Sequence, residues 1–197
     1  MIRIGVTGLM ASGKSTVARR FAAKGAALVE GDALGWLVLR RPAARDALLA
    51  RFGPSVRGAD GEVDRALLGR IVFGAPAAME ALNAIVQPDL LRLVREELAA
   101  ARGPVAVLDA ALLTWWRLEP ELDGVVEVTA PEEVRVARLR AARGYSEEEA
   151  RARIRGQSLP PVEGARRHWI IENARDLASL TRRADDVWKE ITAVARG

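Results

Sequence analysis

Gly8-Leu9-Met10-Ala11-Ser12-Gly13-Lys14-Ser15-Thr16 stands directly after the apolar run Ile2-Arg3-Ile4-Gly5-Val6-Thr7 and ahead of a helix-forming stretch. The spacing fits G-x-x-x-x-G-K-[ST], and a strand before it with a helix after it is the setting in which that pattern binds phosphate. Glycines let the backbone curl until several N–H groups point at one anion, and the positive end of the next helix adds to the attraction. Gly8, Ala11, Ser12, Gly13, Lys14, Ser15 and Thr16 are therefore the candidate nucleotide-binding residues. In such a loop the lysine, here Lys14, reaches the β- and γ-phosphates, and the hydroxyl of Ser15 holds Mg²⁺.

Working outward, composition limits what else can take part. The 197 residues suit one α/β domain with room for a small helical insert, and half of them are hydrophobic, so a sizeable core is available. There is no cysteine and one histidine, which removes disulfides, zinc clusters, thiol nucleophiles and most histidine acid–base schemes. Carboxylates, Lys, Arg and Mg²⁺ remain for the chemistry. Of 30 basic residues only Lys14, Lys24 and Lys189 are lysines. The net charge of +4 comes from arginines interleaved with glutamates over Pro131 to Arg143 and Glu147 to Arg155, which describes solvated helix faces rather than a nucleic-acid surface. No stretch of about 18 apolar residues occurs, and the N-terminus lacks a charged-then-apolar signal pattern. The expectation is a soluble cytoplasmic protein without nucleic-acid or membrane partners, a monomer or weak homo-oligomer.

Along the chain, Val17 to Ala23 continues the helix opened by the loop, and Ala26 to Val29 reads as a second buried strand. Asp32 follows, where open α/β sheets place ligand-contacting residues. It is either an active-site carboxylate or the N-cap of a helix Ala33 to Arg40. Residues 43–52, 65–73 and 76–101 are helical in pattern, with Gly74-Ala75-Pro76 among the breakers. So long a helical run between two strands is an insert that builds a second binding surface. Pro88 is expected to kink or restart its helix.

Val105 to Leu108 is a hydrophobic run ending in Asp109, which resembles the second half of a phosphate-loop site, where a strand-end Asp binds Mg²⁺ directly or through water. Trp115 and Trp116 read as core. Gly124 to Thr129 is a fourth strand, Trp169 to Asn173 a fifth, and Asp176 to Ala195 a terminal amphipathic helix. Between the last two strands a helix–turn–helix carries Arg135, Arg138, Arg140, Arg143, Arg151, Arg153 and Arg155, the density a lid over a nucleotide requires. Five β runs with helices between them predict a parallel sheet covered on both faces.

These residues taken together resemble the dephospho-coenzyme A kinase family. The resemblance begins with Ile4 to Gly8 and Ser12 to Ala18 and continues through Leu28-Val29-Glu30-Gly31-Asp32-Ala33, Arg51-Phe52-Gly53 and Gly61 to Arg65. It extends over Ile71-Val72-Phe73, Ile85 to Pro88, Val107-Leu108-Asp109 with Leu112-Leu113, Ala130 to Glu133, Ser146 to Ala150, Arg153-Ile154 with Gln157, and Asn173. It implies an α/β P-loop kinase of three layers with a five-stranded parallel sheet, in one domain over residues 1–197. The core would span about 1–40, 103–137 and 162–197, the helical acceptor-binding region about 41–102, and a short helical lid about 138–161.

The implied reaction is ATP-dependent phosphorylation of the ribose 3′-hydroxyl of dephospho-CoA, giving coenzyme A and ADP. Asp32 would orient or deprotonate that hydroxyl, Lys14 would hold phosphates, and Arg138 or Arg143 would stabilise the transferring group. Asp109 would support Mg²⁺ or the acceptor, Asn173 would offer its backbone to adenine, and Gln157 would lie near the nucleotide end. Gln87 and Leu112 would face the acceptor. Two segments depart from the family pattern: Gln87-Pro88 stands where His-Pro is usual, and Ala111-Leu112-Leu113-Thr114-Trp115 where Pro-Leu-Leu-Phe-Glu is usual. Both lie on the acceptor side. They keep open a kinase for another nucleotide-like small molecule, with a P-loop ATPase or nucleotide switch as the further alternative.

Overall fold

The short apolar runs become strands: Val105 to Asp109 is buried throughout, whereas the two outermost runs are partly exposed. The computed structural model describes residues 1–72 and 75–194; Phe73, Gly74 and Ala195, assigned above to a helix end, a breaker and the terminal helix, lie outside them. The strands are β1 (Ile2–Thr7), β2 (Ala27–Glu30), β3 (Val105–Asp109), β4 (Gly124–Thr129) and β5 (His168–Glu172). They pair in parallel in the order β2-β3-β1-β4-β5. The helices are α1 (Lys14–Ala23), α2 (Gly31–Leu39), α3 (Pro42–Phe52), α4 (Arg65–Val72), α5 (Pro76–Ala100), α6 (Glu132–Arg143), α7 (Glu147–Arg155) and α8 (Leu177–Val194).

Strand side chains alternate between two cores. Ala106, Leu108 and Val125 join Val38 of α2, Leu48 of α3 and Leu90 and Val94 of α5 on one face. Val105, Val107, Val126 and Val128 join Phe21 of α1 and Ala184 and Ile191 of α8 on the other. The result is the three-layer sandwich expected from the sequence.

The register positions the site. Val6 pairs with Asp109, and Glu30 pairs with the same Asp109. The loop after β1, the end of β3 and the start of α2 therefore meet at the C-terminal edge of the sheet, where such sheets bind ligands.

Two local expectations are corrected. The helix after β2 begins at Gly31, not Ala33, so Asp32 lies inside its first turn and caps nothing; Glu30 holds the cap position. Pro88 does not restart its helix either, and α5 runs unbroken from Pro76 to Ala100. A proline removes one backbone bond, and the buried row Val86, Leu90, Val94 and Leu98 on both sides of it keeps the helix in line.

Candidate active site

The loop is shaped by its glycines. Gly8 has φ +154°, and a Cβ there would meet the Val128 carbonyl; Gly13 has φ +101°, and a Cβ there would meet the Asn173 amide. Ala11 holds φ +62°. The turn is closed by Ser12 N–H donating to the Leu9 carbonyl at 3.0 Å. Among the described residues, the N–H groups of Ala11, Gly13, Lys14 and Ser15 have no protein acceptor, and neither has the buried hydroxyl of Ser12. Unpaired donors at a helix N-terminus make a receptor for an anion. Ser15 is half-buried and Thr16 exposed, both in the first turn of α1.

Lys14 is buried, and its Nζ donates to the buried Asp109 and lies 3.5 Å from Asp32 Oδ2. Asp32 keeps its other oxygen on the Ala111 N–H at 3.2 Å, with 46% of its side chain exposed. One carboxylate is thus enclosed while the other is fixed by a backbone donor and still open to a second substrate.

Arg138 turns from α6 into the back of the loop. Its guanidinium donates to the carbonyls of Ala11 at 3.2 Å and Ser12 at 3.4 Å, and to Asn173 Oδ1 at 2.9 Å. Burial pushes its pKa below the usual arginine value. Asn173 is itself buried: its N–H donates to Thr129 O at 2.7 Å and its side-chain amide to Ser12 O at 2.7 Å, while its carbonyl accepts from Arg138 at 3.2 Å. A backbone contact from Asn173 to adenine is thereby restricted to the carbonyl. Arg143, at the exposed end of α6, has no hydrogen-bond or ion-pair partner among the described residues. Replacing Arg138 with Met is expected to raise the KM for ATP by about tenfold or more, because charged hydrogen bonds to the loop are lost. An unchanged KM in steady-state assays would reduce Arg138 to surface packing.

The pair α6 and α7 joins the loop through packing as well. Met10 and Ala11 pack on the cluster of Val136, Leu139, Ala150 and Ile154. Gln157 Oε1 accepts the Met10 N–H at 2.5 Å, and next to it the Ser158 carbonyl accepts the Trp115 indole N–H at 3.0 Å. Trp116 is core, as expected, whereas Trp115 is half-buried.

Of the two residues expected to face the acceptor, Gln87 donates its Nε2–H to the Trp116 carbonyl at 2.9 Å, and Leu112 is half-buried against the α5 core. Thr114 is buried with its hydroxyl unpartnered among the described residues. It borders a cavity of about 380 Å³ shared with Thr7, Gly8, Leu9 and Gln157.

Sequence reading assigned no role to Arg65 and Trp36. The Arg65 guanidinium stacks 3.6 Å from the centre of the Trp36 ring. Its pKa is lowered, first by burial, with attraction from Asp32 opposing and repulsion from Arg143 adding. Arg65 had a faint signal in the Gly61 to Arg65 match; Trp36 had none.

A parallel sheet with a glycine loop between β1 and α1, and a carboxylate held beside the loop lysine but open to solvent, defines a P-loop kinase of small molecules. The sequence model of the family CoaE, dephospho-CoA kinase, matches residues 2–179. The chain belongs to the dephospho-CoA kinase family, whose reaction is ATP-dependent phosphorylation of dephospho-CoA in coenzyme A biosynthesis. It is 38% identical to the dephospho-CoA kinase of Thermobifida fusca over 194 residues, covering 97% of this chain and 96% of that one. It is also 38% identical to the Thermus thermophilus dephospho-CoA kinase over 196 residues, covering 100% and 95%. A crystal structure of a Thermus thermophilus protein superposes with TM-score 0.74 at 38% identity, covering 96% of this chain and 97% of that one. The Campylobacter jejuni dephospho-CoA kinase, at 21% identity and TM-score 0.62 with 97% of each chain covered, shares the fold.

Proposed function

We propose that Asp32 receives the proton of the dephospho-CoA ribose 3′-hydroxyl while that oxygen attacks the γ-phosphorus of ATP. The bond between the γ-phosphorus and the bridging oxygen breaks, and ADP leaves with the electron pair. The observation that carries this reading is Asp32, 3.5 Å from Lys14, held by the Ala111 N–H yet open on its other side. Phosphoryl transfer through a loose transition state needs positioning and charge neutralisation more than a strong base, so a carboxylate suffices.

In this reading Lys14 moves from its carboxylate partners to the β- and γ-phosphates when ATP fills the loop, which frees Asp109. The donor set then fits Mg²⁺, since that ion takes one or two protein oxygens plus phosphates and water; Ser15 Oγ and Asp109 would supply them. Bound there, Mg²⁺ would neutralise phosphate charge. Arg138 braces the loop from behind, and Arg143, at the unpaired end of α6, would meet the transferring group. The helices of 41–102 and residues around Gln87 and Leu112 would hold the acceptor, with 138–161 as the lid and the remaining segments as the core.

Among the described residues no helix is long and apolar enough to cross a membrane. Both substrates are water-soluble metabolites, and we place the chain in the cytoplasm as a monomer or weak homo-oligomer. The test supplies Mg-ATP with dephospho-CoA, each nucleoside monophosphate, or no acceptor, and follows ADP release. Release that depends on dephospho-CoA is expected. The altered acceptor segment with Thr114 beside a cavity favours one second reading, another nucleotide-like acceptor, and faster turnover with a monophosphate would establish it instead. Acceptor-independent release would leave an ATPase.

A further inference from the structure

Several arginines of this chain spend their guanidinium on a carboxylate: Arg20 on Asp185, Arg41 on Asp89, Arg95 on Glu121, Arg151 on Glu133. Arg65 does not. Among the described residues it has no hydrogen-bond or ion-pair partner, and its guanidinium carbon lies over the indole of Trp36, 3.6 Å from the ring centre, the separation of a stacked pair. Stacking fixes the plane of a guanidinium and leaves the N–H donors on its rim free, whereas a carboxylate partner would occupy them. An arginine fixed in this way is prepared for a planar, bidentate grip on phosphate.

Its position indicates which phosphate. Trp36 follows Asp32 by four residues on α2, so the two side chains lie on one face, one turn or about 5.4 Å apart. Arg65 arrives over that face from α4, close enough to feel the Asp32 charge, and Arg143 approaches from α6, close enough to repel it. Two arginines that repel each other, neither paired among the described residues, gain from an anion placed between them. Dephospho-CoA carries a diphosphate on the 5′-oxygen of the same ribose whose 3′-hydroxyl must reach Asp32. The spacing of Asp32 and Trp36 is of the order of a ribose ring.

We propose that Arg65, held flat on Trp36, is the receptor for the 5′-diphosphate of dephospho-CoA, and that Trp36 is the positioning residue which makes it so. The inference rests on the phosphoryl-transfer reading above and adds the acceptor's anion site to it. Trp36 acts through Arg65 alone, so its π face matters and its bulk does not.

The test compares Trp36→Phe, Trp36→Leu, Arg65→Met and the double variant Trp36→Leu/Arg65→Met with the parent chain. It measures kcat, the KM for dephospho-CoA and the KM for ATP, together with the calorimetric Kd of dephospho-CoA for the ADP-saturated chain. Arg65→Met is expected to raise the KM and Kd for dephospho-CoA at least about tenfold, the effect of losing a charged hydrogen-bond pair. The KM for ATP and kcat should stay within about threefold. Trp36→Leu should raise the same two quantities, Trp36→Phe should restore them to within about threefold of the parent, and the double variant should be no worse than Arg65→Met. Phe and Leu both keep apolar volume, so melting temperatures near that of the parent are expected throughout. The proposal is overturned if Arg65→Met binds dephospho-CoA like the parent, if Phe and Leu at position 36 behave alike, or if the two positions add independently. The outcomes also separate the two readings. A chain that binds dephospho-CoA through Arg65 yet transfers no phosphoryl group defeats the kinase reading alone. A chain that phosphorylates dephospho-CoA with Arg65→Met unaffected defeats this inference alone.

Discussion

Replacing Asp32 with Asn is expected to lower kcat by about 10²-fold or more, the usual range for a group that takes a proton in the transition state. ATP affinity should stay within about threefold. Two features of the structure make this substitution clean. The Ala111 N–H that holds Asp32 at 3.2 Å still finds an amide oxygen in Asn, so the side chain keeps its place. Lys14 keeps its contact with Asp109, so the buried charge of the loop lysine stays compensated. Asp32 does not cap its helix, and its charge in the first turn of α2 adds only about 0.3–1 kcal/mol through the helix dipole, so melting should be unchanged within a few degrees. Single-turnover phosphoryl transfer with saturating dephospho-CoA is the measurement. Retention of the parental rate would leave Asp32 as no more than a contact to the Ala111 backbone.

Replacing Lys14 with Met should affect both fold and function, and a second substitution separates the two. The buried carboxylate of Asp109 has Lys14 as its side-chain partner, and removing one member of a buried pair costs about 3–5 kcal/mol. A lowered melting temperature is therefore expected in Lys14→Met. Adding Asp109→Asn removes the uncompensated charge and should recover most of that loss. Turnover should not follow. With no ammonium on the β- and γ-phosphates, kcat/KM for ATP should fall by about 10²–10³-fold or more in both variants, by analogy with the removal of one preorganised donor from a transition-state site. Recovery of turnover together with melting in the double variant would show that Lys14 serves the fold alone.

The parts of the fold that could be read from the chain are those where local pattern and burial agree. Val105 to Asp109 and Gly124 to Thr129 are strands rich in buried apolar residues because helices cover both faces of the sheet, and they lie where they were expected. The loop was legible for the same reason: Gly8 and Gly13 adopt backbone angles that side chains avoid, so the residue type records the geometry.

The start of α2 was less legible. An Asp after a buried strand serves equally as cap or ligand, and only the third dimension removes the cap reading: Glu30 holds the cap position, and Asp32 lies between Lys14 and the Ala111 N–H. The arginines of 135–155 could not be sorted from spacing at all. Helical periodicity tells which of them share a face, not what that face meets. In the structure Arg138 faces loop carbonyls, Arg151 faces Glu133 and Glu147, Arg153 covers Tyr145, and Arg143 is left open. The stack of Arg65 on Trp36 joins α4 to α2 across α3, and no local pattern encodes a contact of that kind.

The burial of Lys14 also decides how the chain responds to amine-directed chemistry. Its side chain is 10% exposed, against 36% for Lys24 and 75% for Lys189, and these are the only lysines of the chain. Acylating reagents need an open approach to the nitrogen, so they consume Lys189 and Lys24 first. Lys24 follows the C-terminal end of α1, a helix of ten residues or about 15 Å, and the nucleotide loop precedes its other end. Lys189 lies on α8, which shares a core with α1. Coupling through these two amines would tether the protein by the face formed by α1 and α8, with the loop and Asp32 left unmodified.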